Sequence, residues 1–118
     1  MHLHGLRTAI YPAADLETAK AWWTGLLGFG PYFDQPFYVG YEVGGYELGL
    51  LPDLPVTDGV QTYWGVDDVA VAIAEAVALG ASEHRPAEEV GEGIVVGSVR
   101  TPAGGILGLI YNPHFRPA

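Results

Sequence analysis

The sequence predicts an α+β fold of two pseudo-symmetric βαβββ units, and three observations lead there. First, the chain is written twice. Thr8-Ala9-Ile10-Tyr11-Pro12, followed by Ala13-Ala14-Asp15-Leu16, opens a helix-like stretch that stops near Gly28; Gln61-Thr62-Tyr63-Trp64-Gly65, followed by Val66-Asp67-Asp68-Val69, opens one that stops at Gly80. Asp15 and Asp68 are 53 residues apart. Second, Leu48-Gly49-Leu50-Leu51 is matched by Leu107-Gly108-Leu109-Ile110 at an offset of 59, so the second half carries about six more residues between its helix and its last strand. Third, 118 residues with 49% hydrophobic content suit one domain with a substantial core. A half of this size cannot bury its own apolar face, which is why the repeat is expected to pair within a single domain, with unit one at about 5–53 and unit two at about 60–113.

The elements follow in order. Leu6 to Tyr11 alternates as a strand and is closed by Pro12. Asp15 is the expected helix N-cap, Glu17 sits in the first turn where the helix dipole favours an anion, and Leu16, Ala19, Trp23, Leu26 and Leu27 share one face. Gly28 and Gly30-Pro31 end the helix. Trp22, next to Trp23, lies at the edge of the stripe, where it suits a dimer contact. Phe37 to Val43 and Tyr46 to Leu51 are strand-like runs joined by Gly44-Gly45, which fits a two-residue hairpin whose central residues both need positive φ.

Pro52 to Gly59 has linker chemistry, since its prolines cannot join a central ladder. Val60 to Val66 is the next strand, Asp68 the cap, and Val69, Ala72, Ile73, Ala76, Val77 and Leu79 the stripe of the second helix. Ala81 to Gly93 reads as an acidic, turn-rich loop holding the additional residues. Ile94 to Arg100 and Ile106 to Tyr111 form a hairpin across Thr101-Pro102-Ala103-Gly104-Gly105.

Charge narrows the partners. Fourteen acidic against 5 basic residues give a net charge of -9, which repels a nucleic-acid backbone and an anionic membrane surface. The absence of cysteine removes disulfides, thiolate nucleophiles and cysteine-based zinc sites. The opening Met-His-Leu-His-Gly-Leu-Arg has no apolar core of a leader, and no window approaches ~18 uninterrupted apolar residues, so a cytoplasmic protein without membrane or nucleic-acid partners is expected.

Paired βαβββ units, an Asp-Leu or Asp-Val opening each helix, the Gly44-Gly45 hairpin and a final Leu107-Gly108-Leu109-Ile110 followed by Asn112-Pro113-His114-Phe115 together resemble the vicinal oxygen chelate superfamily, the glyoxalase, bleomycin-resistance and extradiol-dioxygenase group. The resemblance covers nearly the whole chain and implies a mixed sheet curled into a cup, the glyoxalase-like fold. It also implies, for metal-dependent members, His, Gln or Glu at one position on the first strand and one on the last strand of each unit, a set that suits zinc, nickel, manganese or iron. Carried over, those positions fall on Thr8, Gly49, Gln61 and Gly108. The register rests on the seven residues from first-strand ligand to capping aspartate and on the Leu-Gly-Leu repeat. Only Gln61 is of the ligand type, so neither a family-type metal nor another cofactor is expected. A metal-dependent reading needs a different register, with His4 or Glu42 facing inward.

Alternation through the same positions puts Leu6, Thr8, Ile10, Glu47, Gly49, Leu51, Gln61, Tyr63, Ile106, Gly108 and Ile110 on one face. Such an apolar face with a few polar groups suits a small molecule, and the two glycines leave room on it. Glu47 is its one ionisable side chain and hence the candidate base or cation anchor. Thr8, Gly49, Gln61, Tyr63 and Gly108 are the candidate ligand contacts, with Phe37 and Tyr41 from the aromatic segment around the hairpin that also holds Tyr32, Phe33 and Tyr38. None of His2, His4, His84 and His114 falls on a family ligand position.

Two functions stay open. One is a metal-independent binding protein of the antibiotic-sequestering type, holding a planar aromatic or cationic small molecule in the cup or at a dimer interface. The other is a glyoxalase-like lyase or isomerase that uses Glu47 as base. Exposed sheet edges and the family resemblance lead us to expect a homodimer.

Overall fold

The structure, a computed structural model, describes residues 2–115. In chain order the elements are β1 (Leu6–Pro12), α1 (Leu16–Leu27), β2 (Phe33–Gln35), β3 (Tyr38–Val43), β4 (Tyr46–Leu51), a single 3-10 turn (Val56–Asp58), β5 (Gln61–Gly65), α2 (Val69–Ala78), β6 (Ser82–Gly91), β7 (Ile94–Arg100) and β8 (Ile106–Tyr111). The class is α+β and the order βαβββ occurs twice, as the repeat predicts. Strand order is β2-β3-β4-β1 in the first half and β5-β8-β7-β6 in the second. β1 with β4 and β5 with β8 are parallel, while β2 with β3, β3 with β4, β6 with β7 and β7 with β8 are antiparallel.

Two compact units result, one spanning Thr8–Val60 and the other taking Gln61 onward together with the chain up to Arg7. Residues 5–7, expected in unit one, therefore belong with the second. His4 N–H donates to Gly65 O at 2.8 Å and Gly65 N–H to Gly5 O at 2.9 Å. Arg7 lies 3.7 Å over the Phe115 ring, a cation–π contact, passing Gly65 where a Cβ would stand 3.0 Å from the guanidinium.

In the Thr8–Val60 unit, α1 starts where Asp15 accepts from Thr18 N–H at 3.1 Å and Thr18 Oγ1 at 2.8 Å; the backbone bond first, then the hydroxyl, holds the Asp15 carboxyl below its usual range. Gly28 ends it at φ 83°. Leu16, Ala19, Trp23 and Leu27 pack on Ala13, Val39, Tyr41, Leu48 and Leu50. Leu26, expected in that stripe, stands at its edge and is exposed, as is Trp22. Gly44 and Gly45 turn the hairpin with φ of 60° and 91°.

In the other unit Asp68 caps α2 by accepting from Val71 N–H at 3.1 Å. Val69, Ala72, Ile73 and Ala76 are buried with Val66, Val99 and Leu109. Val77 and Leu79 are exposed instead of joining the stripe, because Leu79 lies past the last helical residue and Val77 turns off the buried face.

The segment read as an acidic loop is the main departure. Residues 82–91 form the ten-residue strand β6, paired to β7 with register shifts on both sides of Arg85. An edge strand is satisfied on one side only, so it tolerates the charges, Pro86 and irregular register that made the segment look like a loop. The short β2 was likewise not placed from sequence. Among the described residues no helix is long and apolar enough to cross a membrane.

Candidate functional site

Leu48 and Leu50 face α1, so their neighbours on β4, Glu47 and Gly49, face the opposite side. The ladders put Thr8 and Glu42 beside Glu47, and Ile10 and Gly40 beside Gly49. Glu47 Oε2 accepts hydrogen bonds from Tyr38 Oη at 2.7 Å and Tyr32 Oη at 3.0 Å. Tyr38 reaches it by lying across two glycines. A Cβ on Gly49 would collide with the Tyr38 hydroxyl and stand 2.8 Å from Cζ; one on Gly40 would stand 2.7 Å from Glu47 Oε2 and 3.2 Å from rings of both tyrosines. The space at Gly49 is therefore filled by a phenol and not left open, which corrects the expectation of vacant room. The Tyr32 phenol is pushed well above its ordinary value, chiefly by burial, then by the charge of Glu47 and the hydrogen bond to it.

Around this carboxylate stands an aromatic group: Phe33 is 6.0 Å from Tyr38, 6.0 Å from Phe37 and 6.5 Å from Tyr32, ring to ring. Tyr32 and Phe37 are exposed. Phe37, one of the candidate contacts, belongs to this exposed group. Tyr41 does not: it is fully buried in the α1-facing core, and its Oη donates to Lys20 O at 3.0 Å and lies 2.9 Å from Thr24 Oγ1, so no surface of it is left for a ligand. Odd and even residues of β3 face opposite sides, so the aromatic segment that the sequence groups together is split, with Tyr38 on the Glu47 side and Tyr41, the candidate contact, in the core.

The second half repeats the device. Tyr63, Gly108, Ser98 and Arg85 stand in one row across β5, β8, β7 and β6. A Cβ on Gly108 would stand 2.6 Å from Tyr63 Cδ2 and 2.7 Å from Thr62 O, so here too a tyrosine covers the last-strand glycine. Beyond it lies a pocket of about 120 Å³ lined by Tyr63, Arg85, Pro86, Glu88, Val96, Gly97 and Ser98. Burial pushes the Tyr63 phenol up, opposed by the charge of Arg85. Gln61 is 4% exposed and its Nε2 has no hydrogen-bond partner among the described residues. Thr8 is buried at 6% beside Glu47. Arg85 and His84 were missed from sequence because Ala81 to Gly93 was read as loop, and Ser98, on a strand the sequence does give, because its neighbours on that loop were not placed; the signal was that strand Ile94–Arg100 needed a second neighbour.

The family metal set does not fit these residues. Gly49 and Gly108 offer no donor, and the volume a carboxylate would need at each is held by Tyr38 or Tyr63. Among the described residues no group of three or more His, Cys, Asp and Glu could hold an ion. The two residues a shifted register would have called on are engaged elsewhere: His4 Nε2 lies 2.8 Å from Asp67 Oδ1, and Glu42 Oε1 accepts from Gly45 N–H in the hairpin turn at 2.6 Å.

The fold has counterparts among known proteins. The fold is that of the vicinal oxygen chelate superfamily, as likeness over nearly the full chain to solved structures shows. Methylmalonyl-CoA epimerase in complex with methylmalonyl-CoA and NH4+ superposes with a TM-score of 0.78 at 14% identity, covering 99% of this chain and 100% of that one. A glyoxalase/bleomycin resistance protein/dioxygenase superfamily member from Vibrio splendidus 12B01 gives 0.66 at 19% identity over 90% of this chain and 97% of its own. A hypothetical protein from Bacillus halodurans C-125 gives 0.73 at 15% identity, with 96% and 97% covered. No protein-family model matches the sequence, and no curated protein matches it.

Proposed function

We propose that the protein is a metal-independent binder of a small aromatic cation, with Glu47 as the anchor. One observation carries this reading: a carboxylate, fixed by two phenols, stands at the edge of an exposed aromatic cluster of Tyr32, Phe33 and Phe37. Carboxylate and aromatic faces attract the same kind of ligand, by charge and by the ring quadrupole. A net charge of -9 adds a favourable long-range field for a cation. The isomerase alternative draws on the enzyme among the structural neighbours, but with Oε2 already accepting two hydrogen bonds only Oε1 remains to take a proton. The protein is cytoplasmic and a homodimer in this reading, the exposed aromatics Trp22 and Phe37 suiting a contact with a second copy.

Native mass spectrometry of the untagged protein, with and without zinc, nickel or manganese, tests metal independence and the dimer together. Calorimetric titration with benzyltrimethylammonium tests the anchor. The expected result is a metal-free dimer that binds the cation and loses about tenfold in affinity in Glu47→Gln, the effect of removing one charged partner. Equal affinity in that variant, or one tightly held divalent ion per protomer, contradicts the proposal.

A further inference from the structure

We propose that the open face of the second half carries a second subsite, built on Arg85 and Tyr63, that takes the carboxylate head group of a small molecule. From Glu83 opposite Val99 to Arg85 opposite Ser98, β6 advances two residues while β7 advances one. In unbroken register Arg85 would stand opposite Gly97, on the side where a Cβ meets Ile73 Cδ1 at 2.8 Å and Val69 Cγ1 at 3.0 Å, that is, against α2. The bulge turns Arg85 to the side of Ser98 instead. His84 braces the bulge, its Nδ1 lying 2.9 Å from Ser98 Oγ. Bulges commonly re-aim one side chain in this way, and here the side chain is a guanidinium delivered to a pocket.

That guanidinium makes no hydrogen bond or ion pair with another described residue, although the chain has 14 carboxylates to offer. The other described cations are engaged: Arg7 on Phe115, Lys20 with Asp34 and Glu17, Arg100 with Gly104 O. The Tyr63 hydroxyl likewise meets no described partner, and Gln61, two residues back on the same face of β5 and about 7 Å along it, holds a buried amide donor without an acceptor. Three unused donors on one face call for acceptor oxygens.

Size and charge choose the ligand. A pocket of about 120 Å³ is well below the roughly 300–1,000 Å³ of sites that enclose a drug-sized molecule, so it takes a head group while the rest of the molecule lies outside. The planar guanidinium fork matches a carboxylate in two parallel hydrogen bonds. Glu88 also lines the pocket, so the site holds one positive and one negative side chain and favours a singly charged anion over a doubly charged phosphate.

The test is an amide NMR titration of the whole protein with benzoate, with benzamide as the neutral isostere and inorganic phosphate as the second anion. Benzoate is expected to give saturable shifts at Arg85, Ser98 and Gly108, while benzamide at the same concentration gives none. Arg85→Gln, a change at an exposed position, should weaken benzoate about tenfold, and Tyr63→Phe about threefold. No saturable shift with benzoate, unchanged affinity in Arg85→Gln, or benzamide matching benzoate overturns the proposal. Phosphate binding more tightly than benzoate overturns the carboxylate assignment. None of these residues belongs to the Glu47 anchor, so the outcome is independent of the cation titration.

Discussion

In the first half the tyrosine that covers the last-strand glycine comes from β3 and its hydroxyl ends on Glu47; in the second it comes from β5, and neither its hydroxyl nor the nearby Arg85 has a hydrogen-bond partner among the described residues. Tyr38 is tied down at its tip, whereas Tyr63 is held by its ring alone. The backing differs as well. Tyr38 side-chain atoms are the neighbours that crowd Gly49, but Gly108 is crowded both by the Tyr63 ring and by the Thr62 carbonyl of the adjacent strand. A repeated scaffold thus presents a carboxylate in one half and a guanidinium in the other, and the two proposed subsites differ in the sign of the charge they offer. The lesson is that a glycine on a pocket-facing strand is not by itself evidence of a vacant site; what fills the missing Cβ volume decides.

The largest expected effect separates the two glycines. Gly108→Ala should cost about 3 kcal/mol because a backbone carbonyl cannot move aside, while Gly49→Ala should cost about 1–2 kcal/mol because Tyr38 can swing away. Urea denaturation of both variants checks the order, and a larger loss at Gly49 would break the comparison. Next come the hydroxyls. Tyr38→Phe removes a hydrogen bond to a charged acceptor and should cost about 1.5 kcal/mol, whereas Tyr63→Phe should change stability by less than about 0.5 kcal/mol. Thermal melts of the pair report the difference directly.

The smallest effect is in pH. Tyr32 binds its proton more tightly in the folded protein than its ordinary value of 10.0 allows. Its contribution is therefore fully present below about pH 10 and is lost as pH rises through the higher folded value, because deprotonation leaves a phenolate partly buried and then also beside the Glu47 carboxylate. The midpoint of unfolding should fall more steeply between pH 9.5 and 11 (a range set on the order of one unit around that value) in the native protein than in Tyr32→Phe. Identical slopes would separate Tyr32 from Glu47.

The features legible in the sequence were those fixed by local chemistry. Asp15 and Asp68 cap their helices, Gly44-Gly45 turns its hairpin, and the bounds of β4, β7 and β8 fall where alternation put them. The repeat offset placed Gly49 and Gly108 at equivalent strand positions, and Glu47 on the face away from α1. What escaped was set by partners far along the chain. β6 is a strand only because β7 offers it a ladder, and Arg85 faces the pocket only because of one extra residue in that pairing. Alternation sets Tyr38 and Tyr41, three residues apart on β3, on opposite faces, but it could not show that the Tyr38 side chain lies across two glycines. Leu26 and Leu79 show the same limit at helix edges, where hydrophobic type alone does not tell a buried position from a solvated one.

If the halves offer opposite charges to ligands through separate residues, an amide NMR titration with one cation and one anion separates them. Benzyltrimethylammonium should shift Gly40, Glu47 and Gly49, and benzoate should shift Arg85, Ser98 and Gly108, each leaving the other set unmoved. Both probes moving the same set, or neither moving either, would contradict that reading.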